Sequence, residues 1–132
     1  MTSKERVKLA LNHKEPDKVP IDFGGQCCSM MHVTCVAQLR EYYGLKGPVK
    51  VADPSTMTGI IEDDLKEAIG CDVDSLEPYT NFFGFKNENW KEWRYKGIDV
   101  LVPGDFNVTE DGKGGYYLYP QGDTSVPPSG HM

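Results

Sequence analysis

Apolar positions along the chain change period several times, and each change predicts an element. Val7, Ala10 and Leu11 recur at helical spacing. Thr2 and Glu5 stand three apart, the spacing of a capping box, so residues 3–12 are predicted to form a helix. Pro16 ends it, because proline disfavours helix in the residue before it. Residues 19–23 are a short apolar run broken by Asp22, which predicts a buried strand. Pro20 is tolerable there because it sits near the strand's first residue. Gly24-Gly25 breaks that strand. Helix resumes near Met31 and runs to Tyr43, with Val36, Leu39 and Tyr43 on one side and Gly44 as a left-handed stop. Asp53-Pro54 predicts an N-cap followed by proline at the first helical position. Ile61, Leu65, Ala68 and Ile69 carry that helix's apolar stripe as far as Gly70. Residues 71–76 predict a second strand.

After Pro78 the pattern becomes short-period and aromatic. Residues 98–102, 106–108 and 116–119 are β candidates, and the run from Asp111 to Gly115 is a turn signal between the last two. Trp90, Trp93 and Tyr95 are expected to cover a core. Residues 124–132 show no core pattern. Two strands joined by a long helical crossover are usually parallel. The expected fold class is therefore α/β, the N-terminal portion of a (β/α)8 TIM-type barrel with an antiparallel β excursion. A barrel needs about 250 residues. Residues 1–78 would be its first strand–helix units, and residues 79–132 a β-rich insertion and a truncated end.

Charge narrows the partners. The 14 basic and 20 acidic residues give a net charge of −6, with no Lys/Arg cluster, so nucleic acid is not expected. No apolar run approaches the roughly 18–20 residues of a membrane span. The first residues lack the apolar core of a signal peptide. The expected compartment is the cytoplasm, where Cys27, Cys28, Cys35 and Cys71 would be reduced thiols.

In a barrel, chemistry sits at the C-terminal ends of the strands. The first strand would deliver Asp22, Gly24, Gly25 and Gln26 to that rim, and the second Glu77 and Pro78. The glycines would let a substrate approach the backbone, and Asp22 and Glu77 could accept protons or hydrogen bonds. The competing structural role gives Gly24-Gly25 only a turn and makes Asp22 a helix cap. Cys28, His32 and Cys35 have the spacing of one helical face. Three ligands from one helix converge poorly on a tetrahedral ion, so no metal is expected there. Cys27-Cys28 could be nucleophilic only with a base and a lowered pKa. Asp72 and Asp74 would face one side of a strand and Glu77 the other, which rules out a dyad. Asp72 is expected to be structural.

Several stretches together resemble the uroporphyrinogen decarboxylase-like superfamily. They are Thr2-Ser3-Lys4-Glu5-Arg6-Val7, Leu11-Asn12-His13-Lys14-Glu15-Pro16-Asp17-Lys18-Val19-Pro20 and Ile21-Asp22-Phe23-Gly24-Gly25. Tyr119-Pro120-Gln121-Gly122-Asp123-Thr124 and Pro127-Pro128-Ser129-Gly130-His131-Met132 resemble an internal segment of its branch related to corrinoid-dependent methyltransferases. The resemblance implies the barrel fold and an N-terminal part of a larger methyltransferase, inactive alone. It implies zinc and a corrinoid for the full-length parent, with the zinc ligands beyond Met132 and no cofactor held by this chain. The implied partners are a small-molecule substrate or a corrinoid carrier protein, and the remainder of the barrel. The superfamily's decarboxylases use an arginine-bearing loop after the first strand to hold a polycarboxylate tetrapyrrole. Here no arginine lies between Arg6 and Arg40. Uroporphyrinogen decarboxylation is thus the alternative, and a short non-catalytic binding or accessory protein derived from the barrel is a further one.

Overall fold

The structure, a computed structural model, describes residues 1–76 and 78–132. Helix α1 spans Ser3–Leu11 and opens with the expected capping box. The Glu5 carboxylate accepts from the Thr2 amide at 2.9 Å, and the Thr2 hydroxyl accepts from the Glu5 amide at 3.3 Å. This helix is anchored by charge. Its one buried side chain is Arg6, which donates to both oxygens of Asp17 at 2.7 and 2.9 Å and also to Asp72. The other Asp72 oxygen accepts from the Ile21 amide at 3.0 Å. Asp72 therefore has the structural role its position suggested.

Residues 19–23 and 71–76 are not strands, which corrects the first and second strands of the expected barrel. They do run beside each other, with the Asp72 amide donating to the Ile21 carbonyl at 2.7 Å. The ladder goes no further for two reasons. Pro20 has no N–H to give, and the Asp72 carboxylate takes the Ile21 N–H that a neighbouring carbonyl would otherwise accept. Val19 is 80% exposed, so the run is not a buried one.

Helix α2, Val33–Tyr42, follows the sequence reading closely, with Tyr43 as C-cap and Gly44 left-handed at φ 68°. The region after it differs. Strand β2 covers Val49–Asp53, preceded in the chain by the short β1, Met31–His32, and followed by β3, Thr58–Gly59. Only Asp63–Ile69 is helical, as α3, closed by left-handed Gly70. Asp53-Pro54 thus ends a strand instead of starting a helix. The Asp53 carboxylate accepts from the amide and hydroxyl of Ser55, both at 2.8 Å, which is turn capping. Val49 and Val51 alternate with less buried neighbours at period two, the strand signal in this stretch.

Strands β4, Lys91–Tyr95, and β5, Ile98–Val102, form an antiparallel hairpin. Lys96 and Gly97 both have positive φ, 44° and 87°, as a two-residue primed turn demands. One mixed sheet runs β1-β3-β2-β5-β4, with β2 and β5 parallel. It is open, with β1 and β4 at its edges. It combines strands from both sides of residue 78. Val49, Val51, Val100 and Val102 are buried on one face of it, and α2 brings Val33 and Val36 to the same core. Trp93 packs on Phe106 with ring centroids 5.0 Å apart, so Trp93 and Tyr95 cover a core as expected, whereas Trp90 lies under the Lys50 ammonium, 5.8 Å from its ring centre.

A second, antiparallel sheet contains β6, Val108–Glu110, β7, Tyr116–Leu118, and β8, Gly130–His131. The expected antiparallel excursion is present. Residues 124–132 are not without an element, however. Gly130 pairs with Leu118, and Met132 packs against the core. The fold is mixed α/β. Among the described residues no helix is long and apolar enough to cross a membrane.

Candidate ligand-binding cleft

Residues 22–30 form a tight loop whose bonds can be counted. One Asp22 oxygen accepts from the Gly25 amide at 2.8 Å and from the Ser29 hydroxyl at 3.0 Å. The Gly24 amide donates to the Ser29 carbonyl at 3.0 Å, and Cys27–Ser29 makes a single 3₁₀ turn. Glycine is needed at both early positions for packing. Gly24 has φ +84°, and a Cβ there would lie 2.8 Å from Ile61. A Cβ on Gly25 would lie 2.5 Å from Asp22 and 2.7 Å from Val73.

This loop forms one wall of a cleft of about 570 Å³. The end of β2, through Ala52 and Asp53, forms a second wall, and Ser75, Leu76 and Pro78 a third. The turn at Thr80–Phe82 and Asn87 close it. Two backbone segments that were expected to be strands therefore still bring their C-terminal ends to one place. Among the described lining residues there is no lysine, arginine or histidine, and Asp53 is the one carboxylate. Leu76 and Phe82 are 99% and 89% exposed at the rim.

Gly25 and Gln26 line the cleft. Asp22 and Gly24 do not. Asp22 stands behind the loop and holds it closed through Gly25 and Ser29; it is not the helix cap of the structural alternative, since Gln26 caps the 3₁₀ turn and His32 caps α2. Glu77 lies outside the described residues. Lys18 and Arg40 do not line the cleft; Arg40 is buried and forks onto Asp64 at 2.8 and 2.9 Å. The single helical face proposed for Cys28, His32 and Cys35 is not formed. Cys28 belongs to the 3₁₀ turn and His32 to β1, while Cys35 is in α2. His32 caps α2, its Nδ1 2.8 Å from the Thr34 hydroxyl. Among the described residues no group of three or more His, Cys, Asp or Glu side chains could hold a metal ion.

Two asparagines of the cleft wall were not singled out from sequence. Asn81 is buried, and its carbonyl oxygen accepts from the amides of Phe83 and Phe85 at 3.0 and 3.1 Å. Its Nδ2 has no partner among the described residues. Asn87 donates to the Pro78 carbonyl at 2.8 Å, while its own Oδ1 is buried without a partner among the described residues. A wall with one unmatched donor and one unmatched acceptor is an unusual expense, since unsatisfied buried polar groups cost about 1–3 kcal/mol each. The available signal was Asn81 three residues before Gly84, an Asx-type turn pattern.

No family model, curated protein or solved structure matches the chain.

Proposed function

We propose that this chain is the N-terminal part of a uroporphyrinogen decarboxylase-like enzyme, a corrinoid-dependent methyltransferase whose barrel is completed by further strand–helix units. The cleft would be the portion of the substrate site that this chain contributes, and the chain alone would be inactive. The resemblance of residues 2–7, 11–25, 119–124 and 127–132 supports the family. The meeting of Gly25-Gln26, the end of β2 and Ser75, Leu76 and Pro78 in one cleft supports a site at element C-termini, the usual place in such barrels. Zinc would be held by the parent's later strands, and a carrier protein would present the corrinoid at this cleft. The cytoplasm is the proposed compartment, in keeping with four free thiols.

The observation that carries the choice of methyl transfer over decarboxylation is the charge of the wall. Its described lining has no cationic side chain. A polycarboxylate tetrapyrrole entering such a site would lose water without gaining ion pairs, and each unpaired buried charge costs several kcal/mol. A methyl group on an uncharged acceptor or donor has no such cost. Gln26 and the two asparagines would orient it by neutral hydrogen bonds.

The test is made on the full-length enzyme. Incubated with uroporphyrinogen it should form no coproporphyrinogen. Incubated with methylcob(III)alamin and a thiol acceptor it should change the corrinoid's visible spectrum. Robust decarboxylation with an unchanged corrinoid spectrum would reverse the assignment.

A further inference from the structure

Cys27 and Cys28 are adjacent in sequence, both exposed, and their sulfurs are 3.9 Å apart. Neighbouring residues on an extended strand point to opposite faces, so adjacency alone does not bring two thiols together. Here the 3₁₀ turn does it. That turn is held from behind by the bonds of Asp22 and Gly24 to Ser29, so the pair is presented by a braced loop. Two sulfurs each about 2.3 Å from one tetrahedral ion stand roughly 3.8 Å apart, close to the observed separation. Cys27 also lines the cleft, as does Met30, a thioether one residue beyond the turn.

We propose that Cys27 and Cys28 form a two-thiol site for a soft d¹⁰ cation at the mouth of the cleft. Thiolate donors select soft ions such as copper(I) and cadmium(II) over hard ones. Two protein sulfurs leave further coordination positions open, and these would face the cleft. Binding exchanges two S–H bonds for two S–metal bonds and releases two protons, with no change of oxidation state. The Cys28 thiol is held above its ordinary pKa, first by its hydrogen bond with Cys27 and then by the cost of a second negative charge beside that residue. A cation between the sulfurs removes that cost. The site uses only residues of this chain and is independent of the reaction the cleft serves.

Cadmium(II) is the probe, titrated into the reduced protein. The expected result is one equivalent per chain, a thiolate-to-metal charge-transfer band and release of two protons. Cys27→Ser and Cys28→Ser should each lower affinity on the order of tenfold or more, and Cys35→Ser should leave it unchanged. A second measurement needs no variant. Alkylation with iodoacetamide, mapped by peptide mass, should show cadmium protecting Cys27 and Cys28 but not Cys35. Copper(I) should displace cadmium, and magnesium should not. Absence of the charge-transfer band, protection of other cysteines instead, or unchanged affinity in both serine variants would overturn the proposal.

Discussion

Two regions of this molecule pair extended segments, and they are held by opposite means. At the centre, β2 and β5 lie parallel, and Val49, Val51, Val100 and Val102 share one buried face beneath α2. At the N-terminal side, residues 19–23 and 71–76 lie side by side without forming strands, and the carboxylate of Asp72 joins them. Arg6 ties that carboxylate to α1 and to Asp17. Apolar burial is non-directional and insensitive to pH. A charged clamp depends on two or three atoms and on ionisation. The sheet should therefore be the stable unit, and the clamp the part that opens first.

The largest effect should come from charging the sheet. Val100 is fully buried, so Val100→Asp places an unpaired carboxylate in the core. The cost of several kcal/mol is comparable with the whole stability of a domain, about 5–15 kcal/mol. Thermal unfolding followed by circular dichroism should lose its cooperative transition. Leu65→Ala, in the same core, should cost about 2–5 kcal/mol while leaving a cooperative transition.

Removing the clamp should do less and do it locally. Arg6→Ala should lower Tm by roughly 5 °C. Hydrogen exchange should quicken across residues 1–23 and 71–76 while residues 98–102 keep their protection. Equal loss of protection in both regions would erase the distinction. Acid should imitate the mutation. Arg6 holds the Asp17 carboxyl down at about 2, chiefly through its hydrogen bonds. Asp72 is also held below the usual range, first by Ser3, then by the Ile21 amide, with Arg6 contributing. Carboxyls lowered by folding contribute stability above their unfolded value near 4. That contribution is lost as pH falls through the folded value. Wild-type stability should thus fall between pH about 4 and about 2, with a shallower fall in Arg6→Ala.

The smallest of these effects should be confined to the cleft. Gly25→Ala puts a methyl group against Asp22 and Val73. It should loosen the 22–30 loop and quicken exchange at the Gly25 amide, with little change at β5.

The same contrast explains what could be read from the chain beforehand. Helix α2 and strand β5 were legible because their burial follows their own periodicity. Ile98–Val102 falls where its pattern put it. Residues 19–23 misled because an apolar run carries no information about whether a neighbour completes its ladder; Pro20 within the run has no N–H to give, and Asp72 from outside it takes the Ile21 N–H. Asp53-Pro54 misled because an aspartate before a proline caps a turn as readily as it starts a helix. Of the cleft lining, the loop at Gly25 and Gln26 was legible, since a glycine pair after an apolar run marks a loop at an element's end. Asn81 and Asn87 were not: the spacing of Asn81 and Gly84 marks a turn, but an unmatched amide is a property of tertiary packing.

The central claim is that this cleft takes an uncharged ligand and rejects a polycarboxylate one. The direct measurement is a pair of amide chemical-shift titrations of the labelled chain, one with methylcob(III)alamin and one with uroporphyrinogen. The account predicts shifts from the corrinoid that cluster at Gly25, Gln26, Asn81 and Asn87, and none there from uroporphyrinogen. Saturable shifts at those four residues with uroporphyrinogen, and none with the corrinoid, would contradict it.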